Sequence, residues 1–102
     1  MYVVLSIGSA TRDVFLVSDQ FIAIKSKKFQ TGMGECVSLG SKVEVDDMVL
    51  STGGGATNAS ATFSSLGLNS AIMTRIGNDA SGKDVIAELN HFGVSTHLVR
   101  VV

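Results

Sequence analysis

The residues that first suggest chemistry are Gly53-Gly54-Gly55-Ala56-Thr57-Asn58. Three glycines in a row weaken a helix or a strand, because glycine loses the most backbone entropy on ordering. They suit a tight turn that leaves room for a ligand against the backbone. The run from Ala59 to Leu66, small and closed by Gly67, reads as a helix. The turn then delivers free N–H groups at a helix N-terminus, where the dipole favours hydroxyl oxygens and anions. Asn58 adds a side-chain amide that both donates and accepts. The chemistry implied is the holding of a polar small molecule.

A second glycine loop, Gly77-Asn78-Asp79-Ala80-Ser81-Gly82-Lys83-Asp84, nearly spells the phosphate-binding pattern glycine-x4-glycine-lysine-serine or threonine. Its last position argues against that reading. The pattern needs a hydroxyl there to ligate magnesium, and Asp84 would put negative charge in the cradle. The alternative is a tight turn in which Asp79 or Ser81 caps the next helix.

The elements that must position these loops follow from the hydrophobic pattern. Val3 to Ile7, stopped by Gly8, suits a strand buried on both faces. A turn over residues 9–13 and the run Val14 to Val17 come next. Short strand-like runs at 21–25, 35–39 and 42–45, separated by Gly32, Gly34 and Gly40, suggest a small antiparallel flap. A helix over 57–66, a strand over 70–76, a helix over 83–92 and a strand starting at Leu98 complete the chain. On the second helix Val85, Ile86, Leu89 and Phe92 form one apolar stripe. Alternating strands and helices predict a parallel sheet. Stopping within a strand leads us to expect the front part of something longer, divided into 1–18 (first core strands), 19–50 (β lid) and 51–102 (the βαβ part).

Composition bounds the function. Apolar residues make up 45% and charged residues 17%, as in a globular chain, and the formal net charge is −1. The densest basic cluster, Lys25, Lys27 and Lys28, reads as a solvated strand edge, which disfavours nucleic acid as a partner. Cys36 is the single cysteine and has no metal-ligand spacing around it, in keeping with a reducing, cytoplasmic setting. No run approaches the roughly 20 apolar residues of a membrane span.

Taken together, the glycine sites form an ordered set: Gly53-Gly54, then Ala56, Asn58, Ser60, Gly67 and Gly77 at fixed spacing. This set resembles the N-terminal signature of the ribokinase-like, or PfkB, family of carbohydrate and nucleoside kinases. The Gly77 to Gly82 loop resembles that family's glycine-x-aspartate-x-x-glycine. Leu89-Asn90-His91-Phe92-Gly93-Val94 resembles its leucine-x-x-x-glycine-valine, and an apolar strand ending in Gly8 with Asp13 soon after completes the match. The resemblance implies an α/β fold, the N-terminal part of a parallel βαβ sheet carrying a small antiparallel β lid.

It also implies roles. Asp13 would bind sugar hydroxyls, Gly53, Gly54 and Gly55 would line the substrate, and Asn58 would be a further substrate contact. Gly55 stands where ribokinase itself carries lysine, which leaves the identity of the sugar open. Without the resemblance, Asp13 caps a turn, Asn58 caps the helix and the glycines serve close packing. The family's catalytic signature, glycine-alanine-glycine-aspartate, has no counterpart after Val94. No catalytic residue is therefore expected on this chain, and the sites for ATP and Mg, with room for a monovalent cation, are expected elsewhere. The expected partners are a small-molecule sugar or nucleoside and a second copy joined through the β lid. The alternative is a sugar- or nucleoside-binding or dimerising module without chemistry.

Overall fold

The computed structural model describes residues 2–102. Ten elements follow in order: β1 (Val4–Ile7), β2 (Thr11–Val17), β3 (Ile22–Lys25), β4 (Met33–Cys36), β5 (Asp47–Gly53), α1 (Gly55–Ser65), β6 (Ser70–Met73), β7 (Arg75–Ile76), α2 (Ala80–His91) and β8 (Arg100–Val101). They fall into two compact units. One comprises the residues up to Asp13 and Leu50–Val102, the other Val14–Val49.

The first unit is the α/β part. β1 pairs parallel with β6, from Val4 opposite Ser70 to Ile7 opposite Met73. Partners in a parallel pair share a face. Ser70, Ser6 and Ile72 are buried on one face, whereas on the other Leu5, Ile7 and Met73 are exposed and Ala71 is buried. The strand expected over 70–76 changes partner at Thr74. Its hydroxyl donates to Gly8 O at 2.6 Å, its carbonyl accepts from Arg100 N, and β7 then pairs parallel with β8. The core gathers Ala56, Ile72, Ile76, Val85, Leu89 and Val94, with Ala10, Ile86 and Val99 against it. The stripe expected on α2 thus buries Val85 and Leu89 but not Phe92, which lies past the last helical turn as the C-cap. On α1 the buried positions are small: Ala56, Thr57 and Ser60. Small residues let the helix backbone come close to the sheet, and Ser70 Oγ donates to Ser60 O at 3.1 Å.

The second unit contains the antiparallel hairpin β3–β4, with Ile22 opposite Cys36 and Lys25 opposite Met33. Its connection is closed by Ser26 N to Gly32 O, Phe29 N to Ser26 O and Gly32 N to Phe29 O. The Phe29 ring lies against Gly34 so closely that a side chain there would have to displace it. β2 pairs with β5, and both strands run from one unit into the other.

Several sequence expectations change. β1, expected to be buried on both faces, leaves Leu5 and Ile7 exposed, and the strand expected over 35–39 instead spans Met33–Cys36. No strand forms over 42–45, because side chains from the 18–20 turn take the backbone groups of Glu44: Ser18 Oγ donates to Glu44 O and Gln20 Oε1 accepts from Glu44 N. The strand lies later, over Asp47–Gly53, so the first glycine of the triplet ends a strand. β2 begins at Thr11, inside the span read as a turn. Both helices also start earlier than expected, at Gly55 and Ala80, since their caps are Gly54 and Asp79. Asn58 is accordingly a residue of the helix and not its cap.

Candidate substrate site

The glycine triplet is built around Ser9, in the loop after β1. Ser9 Oγ accepts from Gly55 N at 3.1 Å, and Ser9 O accepts from Ala56 N at 3.1 Å and Thr57 N at 3.4 Å. The first N–H groups of α1 are therefore taken by the protein itself, contrary to the free cradle expected from the sequence. A residue distant in sequence does the work that a local serine or aspartate usually does. Gly54 makes this closeness possible. Its φ is +96°, and a Cβ there would stand 2.6 Å from Ser9 O. Both facts exclude a side chain.

Gly53 serves a different purpose. It is buried, and a Cβ added to it would collide with Asp13 Oδ2 and stand 3.1 Å from Thr11 Oγ1. The structure thus lays the half-buried Asp13 carboxylate directly against the glycine turn, although 39 intervening residues separate them in sequence. Thr11 Oγ1 donates to Asp13 Oδ1 at 3.0 Å and fixes the carboxylate. The other oxygen, Oδ2, faces Gly53. A carboxylate so held accepts hydrogen bonds from neighbouring hydroxyls. Gly55 has nothing within 4 Å of the position a Cβ would occupy, so the backbone is open there.

Of the five expected site residues, Asp13, Gly53, Gly54 and Gly55 come together in this way. No hydrogen bond joins Asn58 to Asp13. Asn58 lines a separate groove of about 500 Å³ with Ser51, Thr52, Thr57, Thr62 and Glu88 among its walls. Thr52 Oγ1 donates to Glu88 there. The buried Thr57 Oγ1 is the one buried side-chain oxygen without a partner among the described residues. Sequence reading missed Ser9, Thr11 and Glu88. Thr11 carried a signal, since it stands two residues before Asp13 and residues i and i+2 of a strand share a face. Ser9 and Glu88 carried none.

Arg12 lies next to Asp13 and pairs with Asp84 of α2 at 3.2 Å, tying the start of β2 to that helix. The Gly77 to Gly82 loop does not fit a nucleotide phosphate. Asp79 caps α2, its Oδ1 accepting from Gly82 N at 2.8 Å. A carboxylate thus takes an amide that a phosphate would need. No group of three or more His, Cys, Asp or Glu able to hold a metal ion occurs among the described residues. No helix among them is long and apolar enough to cross a membrane.

Comparison with known proteins places this geometry. Residues 2–102 match the family described as pfkB family carbohydrate kinase. No curated protein matches the sequence. Among solved structures, ribokinase of Arabidopsis thaliana complexed with ribose and ATP superposes with a TM-score of 0.71 at 22% identity, over 96% of this chain and 27% of that one. Ribokinase of Cryptococcus neoformans var. grubii serotype A in complex with ADP gives 0.69 at 21% identity, over 96% and 26%. A carbohydrate kinase from Agrobacterium tumefaciens gives 0.70 at 20% identity, again over 96% and 26%. These likenesses establish a ribokinase-like fold, and the chain spans about a quarter of the length of each of these structures. With residues 2–102 matched to its family model, the chain belongs to the pfkB family of carbohydrate kinases.

Proposed function

We propose that this chain supplies the substrate-binding part of an ATP-dependent kinase acting on a hydroxyl of a sugar or nucleoside, and that alone it transfers no phosphate. One observation carries the reading: the Asp13 carboxylate packed on Gly53, beside the open backbone of Gly55. Vicinal hydroxyls suit that pairing, because one carboxylate accepts from two donors. Gly54 keeps the turn close to Ser9 and holds the site in shape. Asn58 is the remaining proposed contact. ATP and Mg belong to the proposed activity of a longer parent chain, for which this piece offers no fitting loop. Phosphoryl transfer depends on positioning both reactants and offsetting the phosphate charge.

The test is calorimetric titration of the chain with ribose, fructose and adenosine, before and after Asp13→Ala. We expect binding of at least one of them, weakened about tenfold or more by loss of the carboxylate acceptor. Binding indifferent to Asp13→Ala would sink the assignment. Phosphorylation of any sugar by the purified chain with ATP would overturn the inactive part.

A second reading, a dimerising module, is favoured by the Val14–Val49 unit. It buries no residue, and Phe15, Leu16, Val17, Ile22, Ile24 and Met33 all stand exposed. Residues 19–50, nearly all of them in this unit, are the proposed β lid and dimer contact. Sedimentation of the chain is expected to show a dimer, and a strict monomer at high concentration counts against it.

A further inference from the structure

Arg75 of β7 and Arg100 of β8 stand directly opposite each other in a parallel pair. Like charges in that relation oppose each other. A paired acid would normally relieve them, yet the one salt bridge among the described residues joins Arg12 to Asp84. The chain as a whole is slightly acidic, so the pair is not part of a general basic surface.

Both arginines line a cavity of about 660 Å³, together with Ile7, Ser9, Met73 and Thr74 among others. No aspartate or glutamate lines it. Its volume falls within the range of small-molecule sites. It lies past the carboxyl ends of β1 and β6, the place where open α/β sheets hold ligands. Ser9 joins it to the candidate substrate site, since the hydroxyl that caps Gly55 belongs to a residue of the cavity wall. Ser9 Oγ accepts in that bond, so its own proton remains available to an anion.

We propose that Arg75 and Arg100 form an anion subsite for a phosphomonoester, and that the ligand of this chain is a sugar phosphate in preference to a neutral sugar. Two planar guanidiniums offer several N–H donors to phosphate oxygens, and they suit this anion better than an ammonium does. The sugar-phosphate part rests on the sugar-binding reading above.

The experiment titrates the 102-residue chain with ribose, ribose 5-phosphate and inorganic phosphate at low and high salt. Ribose 5-phosphate is expected to bind about tenfold or more tighter than ribose, an advantage that shrinks in high salt. The double substitution Arg75→Met/Arg100→Met should abolish the advantage, and Arg75→Lys/Arg100→Lys should keep part of it. Circular dichroism of each variant checks that the fold survives, and the charge-retaining variant separates loss of charge from loss of structure. Equal affinity for ribose and ribose 5-phosphate overturns the subsite. So does an advantage that survives the methionine substitutions. The two readings fail separately. Asp13-dependent ribose binding with no gain from phosphate removes only the subsite. Arginine-dependent binding of inorganic phosphate with no ribose binding removes the sugar reading and the sugar-phosphate preference, and keeps the anion subsite.

Discussion

The two units make different use of similar residues. The α/β unit holds all seven buried apolar residues of the described chain: Ala56, Ala71, Ile72, Ile76, Val85, Leu89 and Val94. The Val14–Val49 unit is as rich in valine, isoleucine and phenylalanine, forms a regular hairpin, and buries nothing. Hydrogen bonding and β propensity suffice to write strands. Burial needs a second layer, which α1 provides for β1 and β6 while Val85 and Leu89 of α2 join the same core, and the second unit forms no helix. An isolated hairpin is marginal in water. The α/β unit is therefore the scaffold that holds Asp13 and the glycine turn, and the other unit is the part that leaves its apolar side chains exposed.

The sharpest way to break this contrast is a pair of leucines. Leu89→Ala removes a fully buried side chain and should cost about 2–5 kcal/mol in urea unfolding. Leu39→Ala, fully exposed in the second unit, should stay within about 0.5 kcal/mol of the parent. Similar losses at both would mean that the units share one core. Next comes Gly54→Ala. The positive φ and the approach to Ser9 O lead us to expect a loss of about 1–3 kcal/mol, confined to the α/β unit. A smaller effect is expected at Asp79→Ala, which deletes the cap of α2 and should cost about 1 kcal/mol. Hydrogen exchange localised to the first turn of α2 would confirm the cause. Last, Phe29→Ala uncovers Gly34 and loosens the hairpin connection. Proteolysis within residues 14–49 should quicken while unfolding of the α/β unit stays the same. A shift in that unfolding would erase the distinction.

Much of the fold was legible in the sequence because its signals are local. Gly67 and Gly93 close the two helices at positive φ, Asp79 caps α2, and the stripe Val85 and Leu89 faces the core. The order of strand and helix implied the parallel pairs. Errors gathered where a distant group intervenes. Glu44 lost its strand to Ser18 and Gln20, and α1 began early because Ser9 capped it. The site was half legible. The glycines of the candidate site were marked by their spacing and Asp13 by the family resemblance, whereas the Thr11 hydrogen bond to Asp13 was overlooked and Asn58 lines another groove.

Residue types and spacing alone pointed to the family and the glycine turn, and the resemblance they carry singled out Asp13 as the aspartate of the candidate site. They could do so because glycine tolerance, caps and hydrophobic periods act over a few residues of chain. Only the tertiary structure decided that the helix amides belong to Ser9, that the Asp13 carboxylate rests on Gly53, and that Arg75 faces Arg100. Each of these joins segments far apart in sequence. Their closeness is set by how helices and strands stack around one core, and no local propensity encodes it.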